Sequence, residues 1–87
     1  MIVNLYTTLG CHLCEEAAGM LRTLQGRCHD LTICEIEITD SEELLAKYAL
    51  SIPVIGTENT EAEIAWPFTL EDLDKFLEQW GPRKVPE

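Results

Sequence analysis

The 87-residue sequence predicts an α/β fold with the element order β-α-β-α-β-β-α, on three observations. Short apolar patterns of period two alternate with amphipathic patterns of helical period along the whole chain. Two strand-like runs, Ser51 to Gly56 and Glu61 to Trp66, are separated only by the polar stretch Thr57 to Thr60, which predicts a hairpin. A hydrophobic content of 46% over 87 residues supplies one modest core and no second one, so a single domain spanning residues 1–87 is expected.

Ile2 to Tyr6 reads as a short buried strand. A helix is expected from Cys11 or His12 to about Gln25, with Leu13, Ala17, Leu21 and Leu24 along its apolar face and Gly26 as its stop. Thr32 to Thr39 alternates, placing Cys34, Ile36 and Ile38 on an inward face and Glu35 and Glu37 on the other. Asp40 or Ser41 offers an N-cap, Asp40 and Glu43 have capping-box spacing, and Leu44, Leu45 and Tyr48 give a short second helix its stripe. Pro53 interrupts the next strand, where a central position would lose a ladder donor. Ala62, Ile64 and Trp66 mark one face of its hairpin partner. Thr69 caps a last helix carrying Leu70, Leu73, Phe76, Leu77 and Trp80, ended by Gly81 and Pro82, and residues 83–87 are expected to fray.

The chemistry concentrates at Cys11-His12-Leu13-Cys14, two thiols one helical turn apart where the first strand gives way to the first helix. Unpaired backbone N–H groups and the positive end of the helix dipole favour a thiolate there, so Cys11 is the expected nucleophile. Cys14 is placed to attack a mixed disulfide on Cys11 and release the reduced substrate. His12 is either a cation that lowers the Cys11 pKa or a solvated residue of the helix start. Glu15 and Glu16 suit the helix dipole while their charge opposes a nearby thiolate. Cys28, Cys34 and His29 add potential zinc donors, but the five-residue gap between these cysteines does not make a second close-spaced knuckle. Cys34 is expected in the core and Cys28 in a loop, and no metal site is predicted. Trp66 and Trp80 are expected in packing roles.

Sixteen acidic against six basic side chains leave a formal charge of −10, which opposes nucleic acid and anionic lipid as partners. No basic segment followed by a long apolar run opens the sequence, and no run approaches a membrane span, so a cytoplasmic location is expected. Four cysteines in a reducing compartment point to redox activity, metal binding or plain burial before a structural disulfide framework.

Three stretches carry a family resemblance: Tyr6-Thr7-Thr8-Leu9-Gly10-Cys11-His12-Leu13-Cys14, Ser51-Ile52-Pro53-Val54-Ile55, and Ala65-Trp66-Pro67-Phe68. With them the chain resembles a glutaredoxin-like member of the thioredoxin superfamily over nearly its whole length. The resemblance implies a three-layer α/β/α, thioredoxin-like fold with a four-stranded mixed sheet in the order 2-1-3-4, the first and last helices on one face and the middle helix on the other. It implies a cis Pro53 beside Cys11, with the backbone of Ile52 holding substrate. It further implies a small thiol-disulfide oxidoreductase of cell redox homeostasis, acting as a monomer on a disulfide-containing protein or small thiol substrate. The cysteines are themselves the redox centre, so no separate cofactor is expected. Glutathione is the reductant that such relatives use. They typically carry a basic residue shortly before the first cysteine and a Gly-Gly pair before the last helix, where this sequence has Thr8 and Trp66-Pro67, so weak glutathione binding is expected. Arg22, about two turns or more into the first helix, is expected to point away from the thiols. The alternative from a different class is a non-enzymatic binding module or zinc carrier on the same fold.

Overall fold

In the strand Ile2–Thr7 (β1), Val3 and Leu5 are fully buried on one face while Asn4 and Tyr6 turn to the other, the alternation of a strand covered on both sides. The computed structural model describes residues 2–27, 30–58 and 60–80. Next come α1 (His12–Arg27), β2 (Thr32–Glu37), a single 3₁₀ turn at Ile38–Asp40 and α2 (Glu42–Tyr48). The hairpin β3 (Val54–Thr57) and β4 (Glu63–Ala65) and the helix α3 (Leu70–Trp80) complete the order. The sheet runs β2-β1-β3-β4, with β1 parallel to β2 and antiparallel to β3, and β3 antiparallel to β4. This is the thioredoxin-like architecture.

The main core lies on one face of that sheet. There Ala17, Leu21 and Leu24 of α1 and Leu73, Phe76 and Leu77 of α3 pack with Val3, Leu5 and Ile55. Each fully buried leucine contributes about 1.5–3 kcal/mol through loss of apolar surface to water. On the opposite face Tyr48 of α2 packs with Ile38 and Val54, and Tyr6, Leu44 and Ile52 close around them. The Tyr6 and Tyr48 rings stack at 4.2 Å between centroids, and the Tyr48 hydroxyl donates to Glu63, tying α2 to β4.

Several boundaries and facings differ from the sequence expectation. The α1 stripe runs through Cys14, Ala17, Ala18, Leu21 and Leu24, and Leu13 stands outside it, 40% exposed. Gly26 does not stop α1, which continues one residue further to Arg27; a lone glycine costs a helix only about 1 kcal/mol. Ser41, not Asp40, caps α2, its Oγ accepting the Leu44 N–H at 3.3 Å, and Leu45 lies exposed. Pro53 precedes β3 instead of interrupting it, so no ladder donor is missing. Thr69 caps α3 as expected, its Oγ1 accepting the Asp72 N–H while the Asp72 carboxylate accepts the Thr69 N–H, both at 3.0 Å.

Cys34 is the largest departure: it is exposed, not core. The predicted alternation holds, but β2 is an edge strand, and Cys34 pairs with Asn4 toward the end of the sheet that the seven-residue α2 does not reach. The β2 residue packed on the main core is Ile33, on the other face. The helix stop at Gly81 and Pro82, the frayed tail, and the loop position of Cys28 all lie outside the described residues, as does the Trp80 side chain.

Candidate active site

The link from β1 to α1 is a tight turn. The Cys11 N–H donates to the Thr8 carbonyl at 3.2 Å, and Gly10 takes φ +80°, the value a type II turn demands at its third residue and a side chain resists. That turn delivers Cys11 to the position just before α1. The Cys14 N–H donates to the Cys11 Sγ at 3.1 Å, and the Cys11 carbonyl accepts the Glu15 N–H at 3.2 Å as the helix begins. Cys11 thus fills the N-cap role with sulfur as acceptor.

Cys11 and Cys14 are joined as a disulfide with their Cα atoms 5.2 Å apart. Cys11 is half-buried, whereas Cys14 is 3% exposed and belongs to the buried stripe of α1. On reduction, a thiolate on Cys11 is met by the Cys14 N–H and the helix N-terminus, both of which favour the charged sulfur. Cys14 has no comparable opening to solvent.

A cleft of about 280 Å³ opens beside the disulfide, between the end of β1, the first turns of α1 and the end of β2. Both cysteines line it, with Thr8, Glu15, Arg22, Glu35 and Glu37 among its other walls. Arg22 therefore does not point away from the thiols. Cys14, Ala18 and Arg22 share one long face of α1, with Cys11 just before its start, and an arginine stem is long enough to reach along that face.

Glu37 is the residue that the sequence did not single out. Its Oε2 accepts the Thr8 hydroxyl at 2.7 Å, the Thr39 hydroxyl at 2.9 Å and the Thr39 N–H at 3.3 Å. These bonds, that of Thr8 first, hold its carboxyl below the ordinary glutamate value. A signal was available in β2: Ile33, Glu35 and Glu37 share one face, and the change from apolar to acidic along it marks where core gives way to cleft.

The remaining candidates are split. His12 is exposed and its Nε2 lies 3.3 Å from the Glu16 carboxylate one turn on, at the helix surface. Ile52 is half-buried against the α2-side cluster, and Pro53 is buried, follows a cis peptide bond, and accepts the Trp66 N–H at 3.0 Å. The pairing of Tyr6 with Val54 sets Ile52 and Pro53 beside the end of β1, next to the dithiol turn but outside the cleft walls. Trp66-Pro67 is also cis, and the Trp66 ring meets Phe68 edge-on at 5.0 Å. Cys34 stands apart from the pair, on the opposite sheet face. Cys28 and His29, named as potential zinc donors, lie outside the described residues. No described helix is long and apolar enough to cross a membrane.

A four-stranded 2-1-3-4 sheet with a cysteine pair at the first strand-to-helix junction defines a thioredoxin-fold dithiol protein. Within that class, residues 2–78 match the glutaredoxin-like domain (DUF836), and the chain belongs to this family. The X-ray structure of the target protein XcR50 from X. campestris is similar with a TM-score of 0.75 and 30% identity, covering 88% of this chain and 96% of that one. Thioredoxin O2 from Arabidopsis thaliana in its oxidized state shares the fold at a TM-score of 0.62 and 21% identity, over 90% of this chain and 72% of its own. Thioredoxin 1 from Thermosipho africanus does so at 0.61 and 17%, over 91% and 97%. No curated protein matches the sequence.

Proposed function

We propose that the protein is a small thiol-disulfide oxidoreductase in which Cys11 is the nucleophile and Cys14 the resolving thiol. The observation that carries this is the Cys11 sulfur itself, half-exposed at the start of α1, capped by the Cys14 N–H and paired with a buried partner one turn on. In the reducing direction the Cys11 thiolate attacks one sulfur of a substrate disulfide. The substrate S–S bond breaks, its other sulfur leaves as a thiolate that takes a proton from water, and a Cys11–substrate disulfide remains. Cys14 then loses its proton and attacks Cys11 Sγ, expelling the second substrate sulfur, which is protonated in turn. One substrate disulfide becomes two thiols while the protein dithiol becomes the Cys11–Cys14 disulfide, and an external dithiol restores it.

Ile52 and Pro53 orient the substrate backbone from beside the β1 end, and His12 flanks the incoming disulfide at the helix start. The substrates are disulfide-containing proteins or small disulfides of the cytoplasm, the protein acts as a monomer, and glutathione serves poorly as reductant. The test is reduction of insulin disulfides driven by a dithiol. Wild-type protein accelerates it, and Cys11→Ser abolishes the acceleration. Equal rates with and without the protein would instead favour a binding module built on the same fold.

A further inference from the structure

We propose that Glu37, tied to Thr8, is a positioning residue that sets the acidity of the Cys11 thiol and the redox poise of the Cys11–Cys14 pair. This deepens the oxidoreductase assignment and rests on it. The tie is continuous in space: the Glu37 carboxylate accepts the Thr8 hydroxyl at 2.7 Å, and the Thr8 carbonyl accepts the Cys11 N–H at 3.2 Å. Behind it, two bonds from Thr39 fix the same carboxylate oxygen to the 3₁₀ turn. A carboxylate on the strand end is therefore held against the turn that presents the nucleophile, inside the cleft that both cysteines line.

The three donors on its Oε2 keep Glu37 charged at neutral pH. A fixed negative charge beside a sulfur raises the free energy of the thiolate and leaves the neutral thiol untouched. Glu15 and Arg22 from α1 and Glu35 from β2 face the same cleft, while His12 is turned to Glu16 at the helix surface. Among these side chains only the Glu37 carboxylate is hydrogen-bonded to the dithiol turn. The helix start and the Cys14 N–H favour the thiolate and Glu37 opposes them, so the pair is less oxidising than the helix N-terminus alone would make it.

Glu37→Gln keeps an acceptor for Thr8 and removes the charge. Thiolate absorbance against pH in the reduced full-length protein, and equilibration of the pair with a reference dithiol, read the two quantities directly. The variant should hold roughly three- to tenfold more Cys11 thiolate at a pH below the wild-type pKa. At a pH above the wild-type pKa, its dithiol–disulfide equilibrium should shift toward the reduced form by a similar factor, about three- to tenfold. Glu35→Gln, which removes a charge from the same cleft without touching the turn, should change either by less than about twofold. Thr8→Val leaves the charge but cuts the tie; it should move the thiol in the same direction as Glu37→Gln and shrink the effect of Glu37→Gln added to it. That variant keeps the test open should Glu37→Gln not fold. Unchanged acidity and equilibrium in Glu37→Gln, an equal effect from Glu35→Gln, or no effect of Thr8→Val would each overturn the proposal. Both readouts exist without any substrate, so a chain that reduces no disulfide would refute the oxidoreductase assignment and still report on Glu37.

Discussion

The Cys14 backbone N–H donates to the Cys11 sulfur at 3.1 Å, so the second cysteine of the pair is placed to stabilise negative charge on the first. A sulfur in the N-cap position receives a donor that a serine or aspartate oxygen would otherwise take, and it gains most when charged. The two cysteines are consequently unequal. Alkylation of the reduced protein should show one fast thiol titrating below an ordinary cysteine. Cys11→Ser should remove that phase and Cys14→Ser should leave it. A fast phase that follows Cys14 would exchange their roles.

Gly10 makes this geometry affordable for the backbone. Its φ of +80° closes the turn from Thr8 to Cys11, and no neighbouring atom lies within 4 Å of where a Cβ would stand. The cost of Gly10→Ala is therefore conformational, not steric: about 1–2 kcal/mol for a left-handed alanine. Chemical unfolding of the oxidised protein should show a loss of that size. A loss below about 0.5 kcal/mol would mean that the turn relaxes without a positive φ.

The dithiol and the element order could be read from sequence because they are local: a thiol pair spaced by one turn, and apolar residues at periods of two and three to four. What decides the cleft is not local. Glu37 and Thr8 are 29 positions apart, and only the parallel pairing of β1 with β2 sets them side by side. The exposure of Cys34 has the same origin, since it depends on how far α2 extends across the sheet and not on the alternation within β2. Leu13 shows the limit within a single helix. Both Leu13 and Cys14 fit a stripe through Ala17 and Leu21, and only the docking angle of α1 on β1 chose the cysteine.

Tyr48 fastens α2 to the sheet by its ring and its hydroxyl at once. Burial, and after it the bond to Glu63, push its phenol well above the ordinary tyrosine range, which favours the protonated, donating hydroxyl. Tyr48→Phe keeps the stack on Tyr6 and removes only the hydrogen bond, an expected loss of about 0.5–1.5 kcal/mol in urea unfolding. Glu63→Gln, which still accepts, should cost less. The opposite ranking would show that the charge on Glu63 matters more than the bond.

Glu37 gives the fold a pH dependence on the acid side. Its carboxyl titrates below the ordinary value in the folded chain, so the unfolded state binds the proton more tightly there. The stability it contributes is complete above the unfolded glutamate pKa and is lost as pH falls through the folded one. Unfolding midpoints measured from pH 6 downward should therefore decline less steeply in Glu37→Gln than in wild type, with the two curves converging at the acid end. Parallel curves would mean that the hydrogen bonds of Thr8 and Thr39 contribute nothing to the ionised form.

Glutathione is the ligand on which the cleft and the family expectation pull apart. It carries two carboxylates, and the walls beside Cys11 offer Glu15, Glu35 and Glu37 against one cation, Arg22. Thr8, standing where glutathione-using relatives typically carry a basic residue, already spends its hydroxyl on Glu37. Each missing charge-assisted contact costs on the order of 1.5–3 kcal/mol, which is at least about tenfold in affinity. Steady-state reduction of a glutathione mixed disulfide should thus be slow beside dithiol-driven reduction of insulin. Arg22→Gln should weaken whatever glutathione turnover exists and leave the insulin reaction within about twofold, because that cation is the one group in the cleft suited to a carboxylate. Efficient turnover at ordinary cellular glutathione levels, insensitive to Arg22, would mean that backbone groups hold the tripeptide and that the acidic walls do not repel it.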